Sequence, residues 1–150
     1  MALRDKLREV IRTKDSPRKI AQSFALGVFI GMSPLLGLHT VLGIGAASLF
    51  RMNRFVTIVG IFVTNPWTIV PIYTFSTWFG TKLLGVDKII PPLQWQHMSF
   101  SSFLNGVSFL LWPFVCGSTV VAVISAVIGY IVVYHAAVKQ RSNTEKGISE

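Results

Sequence analysis

The residues best suited to bind a ligand stand beside two prolines inside strongly apolar sequence. Ser33 precedes Pro34, and Thr64 and Asn65 precede Pro66. Proline is tolerated at the first position of a helix but not in its interior, so each site predicts a break at which a new helix begins. At a helix start, free N–H groups and the positive end of the helix dipole point the same way, which suits an anion such as phosphate or carboxylate.

Side chains near the breaks could add hydrogen bonds to such an anion. His39 follows Pro34 by about one and a half turns, and an ionisable residue inside a membrane is a functional candidate by default. The alternative is structural: Ser, Thr and Asn only cap helices, glycines only pack, and His39 only bonds a backbone carbonyl. The predicted substrate-binding set is Ser33, Pro34, Gly37, His39, Thr64, Asn65, Pro66 and Thr68.

Other kinds of chemistry find no support in the sequence. No carboxylate lies within the apolar runs, so a membrane-embedded acid/base pair is missing. Three scattered histidines without acidic partners do not form a metal site, and the lone Cys116 excludes an internal disulfide. We therefore expect no enzyme, no catalytic residue, no metal and no cofactor.

The charged residues are few, and they leave three long runs uncharged. Only 13% of residues are charged, against about 25% in soluble domains. Lys, Arg, Asp and Glu are absent from residues 20–50, 55–81 and 89–138. Each run exceeds the roughly 20 residues that cross a hydrocarbon core of about 30 Å. This pattern predicts an integral membrane protein.

The net charge of +8 comes from basic residues beside these runs rather than from a nucleic-acid-binding patch. The positive-inside bias therefore predicts a cytoplasmic N-terminus. Residues 1–15 form an amphipathic helix candidate in which Arg4, Arg8 and Arg12 share one side and face lipid phosphates. The alternative partner for this helix is a neighbouring subunit.

The breaks and caps predict an all-α integral membrane fold in a single domain, residues 1–150. The interfacial helix 1–15 leads into two broken-helix, re-entrant-like units in residues 17–84, the second interrupted again at Pro71. A loop at 85–98 precedes an amphipathic helix and one C-terminal transmembrane helix in residues 99–138. Residues 139–150 form a polar tail.

The sequence leaves the membrane topology open between two arrangements. If the runs 20–50 and 55–81 both re-enter, all fourteen Lys and Arg lie on the cytoplasmic side. If both cross once, the loop at 51–54 lies outside and nine remain inside. The charge bias favours re-entry.

One short sequence echo accompanies the breaks. Residues 27–30 (Gly-Val-Phe-Ile) precede Pro34, and residues 60–63 (Gly-Ile-Phe-Val) precede Pro66. Transporter folds with broken helices often contain internal repeats. A four-residue echo also arises by chance in apolar sequence.

Two motifs carry a family resemblance. They are Ser-Pro-Leu-Leu-Gly-Leu-His-Thr at residues 33–40, and Asn53-Arg54 leading to Asn-Pro-Trp-Thr and Pro-x-Tyr within residues 65–73. Over roughly residues 10–138 the chain resembles a bacterial membrane family catalogued as domain of unknown function 2062. The resemblance implies a small multi-pass protein of the bacterial inner membrane without an established activity. Fusion of some members to glycosyltransferase domains implies a partner in envelope or lipid-linked sugar metabolism.

These features predict a transporter or channel for a small anionic or lipid-phosphate substrate, bound where the two breaks converge. The alternative is a non-transporting membrane scaffold or accessory subunit of envelope metabolism. A chain of this length is too small to enclose a path alone, so a homo-oligomer in the lipid bilayer is expected.

Overall fold

The computed structural model describes residues 15–34, 37–86 and 100–146, and every regular element in these ranges is a helix, as predicted. The helices are α1 (Pro17–Met32), α2 (His39–Leu49), α3 (Arg54–Ile61), α4 (Pro66–Leu83) and α5 (Phe100–Lys146). The predicted interfacial helix with Arg4, Arg8 and Arg12, and most of the predicted loop 85–98, lie outside the described residues.

Side-chain caps mark the starts of α1 and α3, and of these the sequence predicts the cap at Ser16. The Ser16 hydroxyl accepts the Lys19 N–H at 3.3 Å, and Pro17 takes the first helical position. The Asn53 side chain likewise accepts the Val56 N–H at 3.2 Å and begins α3.

Two prolines lie inside helices without ending them. Pro71 was expected to interrupt the second arm, yet α4 continues through it for 18 residues in all. The predicted amphipathic and transmembrane segments of residues 99–138 are one helix, since α5 runs for 47 residues through Pro113 and into the polar tail. A proline removes one main-chain hydrogen bond, and the turns on either side and their packing can hold the helix together.

Contacts between helices fix their directions. The Ser23 hydroxyl at the start of α1 accepts the Asn53 N–H at 2.9 Å, and Gly31 near its end lies against Thr64. Hence α1 and α3 run parallel. The Arg141 guanidinium donates to the Asp15 carbonyl, and the Phe24 ring packs on Gly129, so α5 runs antiparallel to α1.

The last two helices also pack antiparallel. Gly117 lies against the Ser76 carbonyl, and Gly80 lies against the Pro113 carbonyl. The Tyr73 and Phe114 rings meet edge-on with centroids 5.0 Å apart. The end of α4 therefore lies beside the part of α5 around Pro113.

These directions distinguish the two apolar runs. We define the Asp15 end as the end of the bundle where Asp15, Asn53 and Arg141 meet. The first run leaves this end along α1 and returns along α2. The second run leaves it along α3 and finishes beside Pro113 of α5. Within α5, Pro113 and Arg141 are separated by roughly 42 Å of helix axis at about 1.5 Å per residue. The expectation of two similar re-entrant units therefore does not describe the second run, because α4 continues away from the Asp15 end.

The packed core lies where α1, α3 and α5 meet. It is built from Ile20, Ala21, Phe24, Val28, Met32, Val56, Val59, Ala122 and Val133. Much of the remaining apolar surface is exposed, including Val41, Leu49, Trp67 and Trp112. Among the described residues one helical segment, Ser108–Asn143, is long and apolar enough to cross a membrane.

Candidate functional site

The structure places the two predicted helix breaks side by side. The Tyr73 hydroxyl donates to the Ser33 carbonyl at 3.3 Å. A Cβ atom added to Gly31 would lie 3.3 Å from the Thr64 hydroxyl oxygen. The end of α1 therefore touches both the junction between α3 and α4 and the side of α4.

A pair of glycines brings the breaks together. A Cβ on Gly27 would overlap the Thr57 carbonyl, and a Cβ on Gly60 would lie 2.5 Å from the Phe24 carbonyl. Thr57 precedes Gly60 by three positions, as Phe24 precedes Gly27. The two echoed segments thus make the same contact with each other, and this close backbone approach sets the segments that follow them next to one another.

The break at Asn65 is closed by its own side chains. The Asn65 amide oxygen accepts the N–H groups of Trp67 at 2.9 Å and Thr68 at 3.0 Å. In return the Thr68 hydroxyl accepts the Asn65 N–H at 2.9 Å and donates to the Val63 carbonyl at 3.0 Å. This is a capping box, and Pro66 has no N–H to offer. An anion at the start of α4 would have to displace Asn65.

Main-chain hydrogen bonds also complete the segment between α3 and α4. The N–H groups of Phe62, Val63 and Thr64 donate to the carbonyls of Ile58, Gly60 and Ile61 at 3.0–3.2 Å. The backbone donors of Phe62, Val63 and Thr64 are therefore satisfied within the chain, as is usual for buried irregular backbone.

The Thr64 side chain is the exception. Thr64 is 7% exposed, and its hydroxyl oxygen is buried without a hydrogen-bond partner among the described residues. Leaving a buried polar group unpaired costs about 1–3 kcal/mol. A ligand would have to displace the packing around Thr64 to reach this oxygen, and it would then meet a hydroxyl with no competing partner among the described residues.

Ser33 ends α1. Its hydroxyl donates to the Ile30 carbonyl at 2.7 Å, and its N–H donates to the Phe29 carbonyl at 3.0 Å. Pro34 then prevents the helix from continuing. The described chain resumes at Gly37, whose φ of +82° is a conformation that glycine adopts without strain.

The start of α2 has a different chemistry from the start of α4. The helix that was predicted to begin at Pro34 begins instead at His39, and its N-cap residue Leu38 has an apolar side chain that makes no cap hydrogen bond. Gly43 packs against the Ile61 side chain. His39 lies one turn before Gly43 on a helix antiparallel to α3, so the start of α2 lies at the level of the residues that follow Ile61. His39 and Thr64 therefore lie at a similar level along the bundle axis.

A second polar cluster, at the Asp15 end, was not foreseen from the sequence. The Asp15 carboxylate accepts the Asn53 side-chain N–H at 2.6 Å and pairs with Lys19 at 3.0 Å. These two hydrogen bonds, that from Asn53 first, lower the pKa of Asp15 below its ordinary value. Ser23 and Arg141 complete the cluster. The one sequence signal was Asn53, a good N-cap residue before an apolar run.

Comparison with known proteins gives one match. The profile of the family described as "Uncharacterized protein conserved in bacteria (DUF2062)" matches residues 1–146. No curated protein and no solved structure matches the chain.

Proposed function

The chain belongs to this bacterial family, and on that premise we propose that it is an inner-membrane protein that binds a phosphate-bearing substrate where its two helix breaks meet and moves it across the bilayer. The substrate class is a small anion or a lipid phosphate.

The proposed topology combines the two arrangements that the sequence left open. Residues 20–50 enter the membrane and return, whereas α3 and α4 together cross it and α5 crosses back. Lys82 lies alone at the far end of the described α4, whereas Arg18, Arg51, Arg54 and Arg141 lie at the Asp15 end. The positive-inside bias then makes the Asp15 end cytoplasmic.

The observation that carries the proposed binding site is the buried hydroxyl of Thr64, which has no hydrogen-bond partner in the described part of the chain. A phosphate oxygen could accept a hydrogen bond from this hydroxyl while the start of α2, where Leu38 makes no side-chain cap hydrogen bond, adds the positive end of a helix dipole. Gly37 would let the backbone approach the ligand, and His39 would lie at the same depth.

The other predicted site residues take supporting roles in this proposal. Ser33 and Pro34 end α1, while Asn65, Pro66 and Thr68 close the start of α4. They would hold Thr64 and the start of α2 in place without touching the substrate. A homo-oligomer is part of the proposal, because neighbouring copies could cover the break from lipid and complete a path.

The test is a flux measurement in proteoliposomes, following labelled inorganic phosphate and a labelled lipid phosphate separately. We expect Thr64→Val to reduce the flux of one of them at least ten-fold, since a lost hydrogen bond to a charged group is worth about 1.5–3 kcal/mol. Thr119→Val is the matched control, because the Thr119 hydroxyl is exposed and bonds only the Val115 carbonyl of its own helix.

Equal flux in the Thr64→Val variant and the unmodified protein would refute the binding site. Absence of flux in the unmodified protein would instead favour the scaffold function. If the unmodified protein transports the substrate and both Thr64→Val and Thr119→Val lose that flux, the loss reflects a general packing effect.

A further inference from the structure

Several cations at the Asp15 end have no carboxylate partner among the residues that the structure describes. The Asp15 carboxylate is taken by Lys19 and Asn53, and Arg141 donates to the Asp15 carbonyl. Around this cluster, Arg18, Arg51, Arg54 and Lys139 are exposed, and no described carboxylate pairs with them. We call these four residues the basic collar.

The collar residues stand at the margins of the uncharged runs. Arg18 precedes the run that begins at residue 20, Arg51 and Arg54 separate the first two runs, and Lys139 follows the last one. In a membrane these positions lie at the level of lipid headgroups. Guanidinium groups bind phosphate with two parallel hydrogen bonds, so three of the four collar residues are well suited to phospholipid phosphates.

The backbone at Arg51 adds an independent observation. The Met52 N–H donates to the Ala47 carbonyl at 2.7 Å and the Arg51 N–H to the Ser48 carbonyl at 3.3 Å, which is the Schellman pattern that ends a helix. Arg51 occupies the left-handed position of this motif with φ of 53°, where glycine is usual. The helix end would therefore be less strained with glycine, so the backbone itself does not require an arginine at this position.

We propose that the basic collar is a binding surface for anionic phospholipid headgroups in the leaflet around the Asp15 end. Lipid phosphates approach it from the membrane side, while Asp15 and its partners hold the collar helices together. The binding is separate from the transported substrate, since Thr64 lies at the other end of α1. It requires membrane insertion but not transport.

The experiment uses the full-length protein in a neutral maltoside detergent. Phosphatidylglycerol and phosphatidylcholine with identical acyl chains are titrated, and lipid binding is followed by the rise in Tm and by native mass spectrometry. We expect phosphatidylglycerol to raise the Tm and phosphatidylcholine to have little effect, with the difference shrinking as salt is added.

Arg51→Gly is the decisive variant, because it removes the charge and relieves the strained backbone together. We expect its Tm without lipid to equal or exceed that of the unmodified protein, while its affinity for phosphatidylglycerol falls roughly five-fold. Combining it with Arg18→Gln and Arg54→Gln should remove most of the lipid effect. Lys82→Gln, at the far end of α4, is the matched control and should bind as the unmodified protein does.

Several outcomes would overturn the proposal. They are an equal rise in Tm with the two lipids, an unchanged phosphatidylglycerol affinity in the triple variant, or a loss of phosphatidylglycerol affinity in Lys82→Gln as large as that in Arg51→Gly. Inorganic phosphate at millimolar concentration, or a single-stranded oligonucleotide, reproducing the whole Tm rise would show that the collar does not select lipid headgroups.

Discussion

Gly27 of α1 and Gly60 of α3 lie with their backbones in contact. Gly27 faces the Thr57 carbonyl of α3, and Gly60 faces the Phe24 carbonyl of α1. The arrangement lets the backbones of two parallel helices approach closely. Both helices then end within a few residues, so the contact sets the two breaks beside each other. A side chain on either glycine would separate them.

Gly27→Ala should lower stability markedly. The added Cβ overlaps the Thr57 carbonyl, and an obstacle made of backbone cannot rotate away, so we expect a loss of about 1–3 kcal/mol or more. Gly45→Ala is the control: Gly45 has open space around it in α2, and alanine is the better helix former by about 1 kcal/mol. Unfolding of both variants in mixed micelles provides the measurement. Equal stabilities would contradict the close approach.

Two threonines on either side of the α3 helix end should respond oppositely to the same substitution. The buried Thr57 hydroxyl donates to the Asn53 carbonyl at 3.0 Å, whereas the buried Thr64 hydroxyl has no partner among the described residues. Thr57→Val should therefore cost about 1 kcal/mol. Thr64→Val should leave the stability unchanged or raise it by up to about 1–3 kcal/mol, since valine removes an unpaired buried group.

The stability comparison also separates structure from ligand binding. A stable Thr64→Val protein that has lost flux would assign the hydroxyl to the substrate. A marked loss of stability in Thr64→Val would mean that the hydroxyl already has a structural partner, and the proposed site would lose its basis.

Local signals in the sequence located most helix boundaries. Ser16 before Pro17 and Asn65 before Pro66 cap helices as expected, because capping depends on residues within one turn. Pro71 and Pro113 were harder to interpret, since the same missing N–H can end a helix or be tolerated inside one. Which result occurs depends on packing, as where Pro113 lies against Gly80.

Long-range features could not be deduced from local patterns. Asp15 and Arg141 are 126 positions apart in the sequence, and their contact fixes the direction of α5 relative to α1. The sequence also cannot say whether a helix start offers its N–H groups. Asn65 fills those of α4 with its own side chain, whereas α2 has no such cap.

Stability should depend on pH through Asp15. Its pKa is lower in the folded protein than the ordinary value of 3.8, because Asn53 and Lys19 favour the carboxylate. The contribution of these bonds is fully present above pH 3.8 and is lost as pH falls below it towards the folded pKa. Asp15→Asn should therefore be less stable than the unmodified protein at neutral pH, and the difference should narrow on acidification. Thermal unfolding of both proteins from pH 7 to pH 3 measures this difference in stability. A difference that stays constant over this range would contradict the role assigned to the Asp15 carboxylate.

The membrane topology is testable by single cysteines in a Cys116→Ser background. In the structure Arg18 and Met52 lie at the Asp15 end, whereas Leu84 follows the far end of α4. Cysteines at positions 18 and 52 should react with an impermeant maleimide from the cytoplasmic side, and one at 84 from the opposite side. Two re-entrant runs would place all three together, whereas two single crossings would pair 18 with 84. Each arrangement thus gives a different labelling pattern. Positions 18 and 52 lie on the same side only if α2 returns to the Asp15 end. Their labelling from opposite faces of the membrane would therefore contradict the direction assigned to the first run.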